Sequence, residues 1–397
     1  MPLRALILYT GDNSANQTAP ANGAPFEQVG SVFLTAPTSN GNGTAIHLRG
    51  KYFLTADHVR VAGGRSVTFD GVTYYEIDQE FTPVTISTGT DTVDMKVCKL
   101  VEDPGLDDLV LNTNTTSDRS SSTTSVMVGY GKGRDTTQAD QTDTDRTWTW
   151  GTFSTTAKRW ATNVVTGTQS IANLDGYDYN YAGLAININS GAGDNEGALA
   201  YADSGSALFQ SIGGQWVLSG LATLVSVDGS STFGSTSGFG PLATFSGDAN
   251  YYVRISSYAA AIEAVLPDLS TFAGWVYDNA LSGDDAASTA DPDADGMTNL
   301  EEFAYGTDPR TWDAQLGPQV AQVDGDLVLS WQESSTASGL TYSVEETDDL
   351  VNTPFAASTL TPEQVGTEAG VTTWQVTLTP ATGQTFLRLV VSSSEAL

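Results

Sequence analysis

The sequence predicts a mainly β protein whose larger part is an antiparallel barrel or sandwich rather than a set of βαβ units. Short β-type runs recur from about residue 26 to residue 256, separated by Gly, Asn, Asp and Ser: VGSVFL, TAIHL, YFLTA, SVTF, MKVCKL, SVMVGYG, WVLSGLATLV and YYVRI. Helical spacing appears only after them. Near the C-terminus four further runs place apolar residues at every second position, the period of a half-buried strand.

Taken in order, the first β region closes with SSYAAAIEAVL, 256–266, which puts Tyr258, Ile262 and Leu266 on one helical face, with Ser256 or Ser257 as cap and Pro267 as stop. A second helical stretch, STFAGWVYDNAL at 270–281, leads into the acidic run GDDAASTADPDADGMTNLEEF. Beyond it LVLSW (327–331), YSVEET (342–347), TWQVTLT (373–379) and FLRLVVS (386–392) read as a small β-sandwich. The expected organisation is a β domain over 1–268, a helical linker over 269–313 and a C-terminal sandwich over 314–397. No 20–50-residue repeat is evident, which disfavours a solenoid or propeller.

With 397 residues, 40% of them apolar, the chain can fill two or three cores. Its 47 acids against 16 bases give a formal charge of −31, which opposes phosphate-rich partners and excludes nucleic acid as an expected ligand. The acidity is concentrated towards the C-terminus, where the whole stretch 269–397 contains only two bases, Arg310 and Arg388. Acidic, Thr/Ser/Gly-rich composition suits an extracellular setting, where salt screens the repulsion. Cys98 is the sole cysteine, so neither an intramolecular disulfide nor a thiolate metal cluster can form. No run reaches the roughly 20 apolar residues of a membrane span, and MPLRALILYTG is too short an apolar run for a secretory signal. A secreted protein whose signal has already been removed is the expectation.

Three stretches supply the groups needed for acyl transfer: LTADHV with His58, TVDMKVCKL with Asp94 and YADSGSALF with Ser204. A serine hydroxyl attacks a carbonyl poorly unless an imidazole removes its proton, and a buried carboxylate holds that imidazole in the useful tautomer. Each stretch alone is a weak signal, since a lone histidine is more often structural. The chain order His58, Asp94, Ser204, with the short separation first and the long one second, is the joint signal.

With these residues the chain resembles the trypsin/chymotrypsin-like serine endopeptidases of secreted bacterial type, and not the chain orders of subtilisins or α/β-hydrolases. SVMVGYG (125–131) resembles the GWG-type strand that begins the family's second barrel, QWVLSGLATLV (215–225) its strand after the serine, and YYVRISSYAAAIEAVL its last strand and terminal helix. The resemblance spans residues 26–266. It implies a chymotrypsin-like double antiparallel β-barrel with a C-terminal helix, His58 and Asp94 on the first barrel and Ser204 on the second. It implies further an oxyanion hole made by the N–H groups of Ala202 and Ser204, and a substrate pocket lined by Ala198, Val225 and Asn250. Ala198 stands where trypsin-like members carry an aspartate, so Lys or Arg should not be selected. Bulk at Val225 and Asn250 would favour small or medium apolar side chains.

The chain departs from the family at Ala202, where glycine is usual and a Cβ can disfavour the backbone conformation, and at Ser206 and Ala207, which replace Gly and Pro. No Ile-Val-Gly-Gly start is visible to supply the amine that pairs with the aspartate at Asp203. Either an internal base replaces that amine or the chain is an immature form.

DPDADGMTNLEE, 291–302, fits the calcium-loop pattern D-x-[DN]-x-[DN]-G-x5-E. Asp291, Asp293 and Asp295 offer carboxylates, Gly296 permits the turn, Met297 offers its carbonyl, Asn299 takes the ninth position directly or through water, and Glu302 can bind bidentately. The bland reading is a solvated acidic linker. The wider segment resembles the EF-hand or thrombospondin type 3-like calcium linkers that precede C-terminal modules in secreted bacterial proteins, which implies a structural Ca2+ that stiffens the joint.

The leading expectation is thus a secreted serine endopeptidase acting on protein or peptide substrates, with the C-terminal domain as an accessory module for attachment to a cell surface or polymer, for sorting or for substrate contact. The alternatives are a catalytically impaired homologue acting as a calcium-dependent binding or adhesion protein, and an ester hydrolase on the same triad. His47 is given no role and is expected at the surface.

Overall fold

Apolar runs become strands wherever both of their faces find cover. In the computed structural model, which describes residues 6–8, 14–33, 41–119, 123–133, 156–174, 177–187, 195–200, 202–226, 249–279, 281–368, 371–379 and 385–394, the chain divides into two units, Met1–Leu266 and Pro267–Leu397.

In the first unit β1 (Ile7–Leu8) pairs with β12 (Gly197–Ala198). The first barrel uses β2 (Val29–Phe33), β3 (Gly41–Arg49), β4 (Tyr52–Thr55), β5 (Ser66–Thr68), β6 (Tyr75–Glu76), β7 (Val84–Thr88) and β8 (Asp91–Lys99). Its antiparallel order is β8-β4-β3-β2-β5-β6, with β7 also on β8. The bridge from Ile77 to Leu100, flanked by Asp78 N–H on Lys99 O at 2.9 Å and Val101 N–H on Glu76 O at 2.9 Å, joins its ends. Tyr52 and Phe53 are neighbours on opposite faces of β4 and both are fully buried. A strand covered on both sides reads as a continuous apolar run, and each such side chain contributes on the order of 2 kcal/mol. That anchored strand leads straight into His58.

The second barrel uses β9 (Thr124–Gly129), β10 (Arg159–Leu174), β11 (Tyr177–Asn187), β13 (Ala207–Ile212), β14 (Gln215–Ser226) and β15 (Ala249–Arg254). The order β10-β9-β13-β14-β15-β11 closes on itself through β10 and β11, a complete six-stranded antiparallel barrel. The chymotrypsin-like double barrel is therefore the fold of this unit. The β10–β11 hairpin was not foreseen, because Thr, Asn and Gly interrupt its alternation and two register shifts break it.

Helix α1 (Ile255–Glu263) buries Ile255, Tyr258, Ala259 and Ile262. The expected serine cap is corrected: the helix begins one residue earlier, Arg254 is its N-cap and makes no side-chain capping bond, and the Ser256 hydroxyl donates to Asp118. His47 is also corrected, from surface to fully buried, with Nε2 2.8 Å from Gly50 O.

The second unit holds α2 (Phe272–Asp278), α3 (Asn299–Tyr305) and two sheets. One runs β16 (Gln319–Val323), β17 (Asp326–Ser334), β21 (Val371–Leu378), β20 (Glu363–Glu368); the other runs β19 (Ala356–Ala357), β18 (Leu340–Thr347), β22 (Phe386–Ser393). Leu329, Trp331, Val344 and Val376 form the buried centre. The four runs read from the sequence are β17, β18, β21 and β22. Strands β16, β19 and β20, with exposed residues, carried no such signal. The segment expected as a separate linker belongs to this unit: Met297, Ala304 and Tyr305 pack with Leu340, Tyr342, Leu389 and Val391, and Tyr342 Oη donates to Ala304 O at 2.8 Å. Among the described residues no helix is long and apolar enough to cross a membrane.

Candidate active site

His58 follows β4 in a tight turn closed by Val59 N–H on Ala56 O at 3.0 Å. Its neighbour Asp57 fixes that turn, accepting from Thr85 Oγ1 at 2.7 Å and from Tyr179 Oη of the second barrel at 3.0 Å, while Lys96 Nζ donates to Asp57 O at 2.6 Å. Asp94 sits inside the buried run of β8, 2% exposed. Ser204 lies in the turn between β12 and β13. Its carbonyl accepts from Thr44 N–H of β3 at 2.7 Å, a bond from one barrel to the other.

The three side chains meet. His58 Nδ1 lies 2.8 Å from Asp94 Oδ2 and 3.0 Å from Oδ1, and His58 N–H also donates to Oδ1 at 3.1 Å. His58 Nε2 lies 2.8 Å from Ser204 Oγ. With the Nδ1 proton committed to a buried carboxylate, Nε2 is left as an acceptor facing the hydroxyl. The imidazole remains 28% exposed, so a substrate can reach it.

The loop that carries Ser204 is over-determined. Asp203 N–H donates to Ala200 O, Gly205 N–H to Ala222 O at 2.7 Å, and Ala222 N–H to Ser206 O at 2.8 Å. Ala202 has φ +73°. This is the left-handed conformation that favours glycine, and here an alanine adopts it at a cost of about 1 kcal/mol. Gly205 has φ +90°, and a Cβ there would stand 2.1 Å from Thr44 O. Among the described residues neither Ala202 N–H nor Ser204 N–H donates to a protein acceptor.

Asp203 is almost wholly buried. It accepts from Gly131 N–H at 2.7 Å, Ala200 N–H at 2.8 Å and Ser206 Oγ at 3.2 Å. Burial pushes its carboxyl up to about 6, against the pull of those donors and of the Arg159 charge. The two glycines of VGYG have a physical reason here: a Cβ on Gly129 or Gly131 would meet Asp203 at 2.3 or 2.7 Å. Arg159, 1% exposed at the start of β10, donates from Nη1 to Leu6 O at 3.3 Å, and its charge is the smallest of the influences on the Asp203 carboxyl.

Sequence reading missed Thr44, Ser206 as a partner, and Arg159. The one available signal was parity. Over 159–165 the buried positions of β10 are Arg159, Ala161, Asn163 and Val165, so a polar residue stands where the pattern asks for an apolar one.

Of the expected pocket residues, Ala198 is fully buried on β12 beside Ile7. Asn250, 1% exposed, turns its Oδ1 onto Leu199 N–H. Val225 pairs with Asn250 across β14 and β15, and its side chain lies outside the described ones. The lone thiol, Cys98, is buried and pushed up to about 12 by desolvation, which removes it as a nucleophile.

In the acidic loop Asp291, Asp293 and Asp295 bring carboxylate oxygens within 4.8 Å of one another. Glu302, in the first turn of α3, is fully buried and pushed up to about 8 by desolvation and by the surrounding aspartates. Met297 N–H donates to Asp295 Oδ1 at 2.8 Å. Asn299 spends its amide nitrogen on the carbonyls of Asp285 and Ala287, at 2.7 and 2.8 Å. Asp313, which the loop pattern does not include, stands with Asp295 and Glu302.

No family model matches the chain, and no curated protein matches it. Among solved structures it is similar to neuropsin, a serine protease expressed in the limbic system of mouse brain, at 12% identity over 63% of this chain and 97% of that one, with a TM-score of 0.39.

Proposed function

We propose that the first unit is a serine endopeptidase, and the observation that carries the reading is the unbroken chain Asp94–His58–Ser204 with contacts of 2.8 Å on both sides of the imidazole. His58 Nε2 takes the Ser204 proton as Oγ attacks the substrate carbonyl, and Asp94 stabilises the imidazolium that forms. The negative charge on the carbonyl oxygen is received by the Ala202 and Ser204 N–H groups, which have no competing protein acceptor among the described residues. One such donor contributes on the order of 3 kcal/mol to the transition state. His58 then protonates the leaving amine, and water, deprotonated by the same nitrogen, releases the acyl group from Ser204.

The donors on Asp203 from Gly131, Ala200 and Ser206 support an oxyanion loop held without a newly cut amine. For specificity, Ala198 offers no carboxylate to a cationic side chain, and the burial of Asn250 against Leu199 supports a short pocket for small or medium apolar residues. Cleavage profiling on a peptide library with Lys, Arg or Phe dominant before the cut would overturn that preference. An acidic chain poor in lysine supports action outside the cell, and a β-sandwich that forms part of a separate unit supports an attachment role.

The test is a fluorophosphonate probe. It should label Ser204, and labelling should vanish in Ser204→Ala and fall steeply in His58→Ala. A folded protein that stays unlabelled would turn the reading to the binding homologue.

A further inference from the structure

We infer that the second unit holds a divalent cation of calcium's type and that Asp313, beyond the end of the loop pattern at Glu302, is one of its ligands. The inference does not depend on the hydrolase reading.

The carrying observation is a set of buried oxygens with nothing to bond. Glu302 is 0% exposed, and neither of its carboxylate oxygens has a partner among the described residues. Asp313 is 8% exposed with Oδ1 unpartnered, and Asp293 Oδ2 is likewise buried without a partner. A buried carboxylate normally finds donors, and several together repel one another.

The spacing says what is missing. Oxygens of Asp295, Glu302 and Asp313 lie within 4.8 Å of one another, as do those of Asp291, Asp293 and Asp295. Oxygen ligands of calcium stand about 2.3–2.6 Å from the ion, so two ligands of one ion are at most about 5 Å apart. Asp295 belongs to both groups and joins them.

The other faces of these carboxylates are already spent on shaping the site. Asp291 takes Asp295 N–H and Gly296 N–H, Asp295 takes Met297 N–H and Asp313 N–H, and Asp313 Oδ2 takes Asp308 N–H. What remains unpartnered is Asp293 Oδ2, both oxygens of Glu302 and Asp313 Oδ1. The donors are all carboxylate oxygens, and both histidines and the cysteine lie in the first unit, so a hard cation is selected over zinc. Asn299 donates from Nδ2 to Asp285 O and Ala287 O, which braces the turn before the loop and leaves its buried Oδ1 without a partner among the described residues. An ion held from Asp291 to Asp313 would clip both ends of α3, whose Ala304 and Tyr305 pack on the sandwich.

The experiment uses the full chain stripped with EDTA, calcium chloride in a calorimeter, and thermal melts with and without calcium. The wild type should bind calcium and melt higher with it. Asp313→Asn should bind at least tenfold more weakly, yet melt no lower than wild type in EDTA, because it relieves repulsion among the unfilled carboxylates. Asp348→Asn, exposed and equal in charge change, should bind like wild type. No calcium heat and no melting shift in the wild type would remove the site altogether. Calcium binding unchanged in Asp313→Asn would confine the ligands to the loop. An Asp313→Asn protein that melts lower in EDTA would make Asp313 a structural residue and overturn its role.

Discussion

Replacing Gly205 by alanine tests whether the nucleophile is positioned by the first barrel. The residue has φ +90°, so any Cβ costs about 1–2 kcal/mol of backbone strain. The new methyl would also stand 2.1 Å from Thr44 O and 2.8 Å from Thr55 Oγ1, so the loop and β3 must part by about 1 Å. Parting them breaks the 2.7 Å bond from Thr44 N–H to Ser204 O and draws Ser204 Oγ away from His58 Nε2. Strain and overlap together should cost about 3 kcal/mol of stability. A misplacement of a reacting atom by about 1 Å costs about 100-fold in rate. The assay is kcat/KM on an apolar peptide substrate, read beside a urea unfolding curve. Gly213→Ala is the control, since it has φ +62° but no atom within 4 Å of the new methyl. It should lose about 1 kcal/mol and keep its rate. If Gly205→Ala behaved like Gly213→Ala in both measurements, the barrel-to-loop coupling would be wrong.

Asp94→Asn should lower kcat about 10^4-fold with little change in KM, because the amide favours the wrong tautomer of His58; steady-state kinetics would check it. Asp203 should give a stability trend opposite to that of an ordinary aspartate. Its folded value of about 6 lies above 3.8, so its favourable contribution is full below pH 3.8 and is lost as pH rises to about 6. The loss is about 3 kcal/mol, and it should appear as the difference between wild-type and Asp203→Asn urea unfolding across that window. Ser206→Ala removes the hydroxyl that reaches both Asp203 Oδ1 and Thr44 Oγ1. It should cost about 1 kcal/mol in urea unfolding and only a few-fold in kcat, since Asp203 keeps two backbone donors.

Much of the fold was legible because burial leaves period in sequence. YFLT and MKVCKL read as strands since β4 and β8 are covered on both faces, and LVLSW since β17 is covered on one. His58, Asp94 and Ser204 were legible because each sits beside such a run. The rest of the site was not, for the groups that hold Asp203 come from Gly131, Ala200 and Ser206, and Thr44, which meets Ser206, belongs to a strand of the other barrel. A hydroxyl or a backbone N–H has no local pattern that announces a partner in another strand. Asp313 escaped for a similar reason. A ligand motif records only the part of a site that is contiguous in the chain.

The bond from Thr44 to Ser204 and the span of the triad across both barrels also bear on how the chain is made. As synthesis proceeds, the base and its carboxylate are in place well before the serine exists, since β9, β10 and β11 are all made between Asp94 and Ser204. When that serine emerges its hydroxyl is as inert as any other. It becomes a nucleophile only when the second barrel has closed and docked, so under the proposed reading a half-made chain is harmless to itself and to its neighbours.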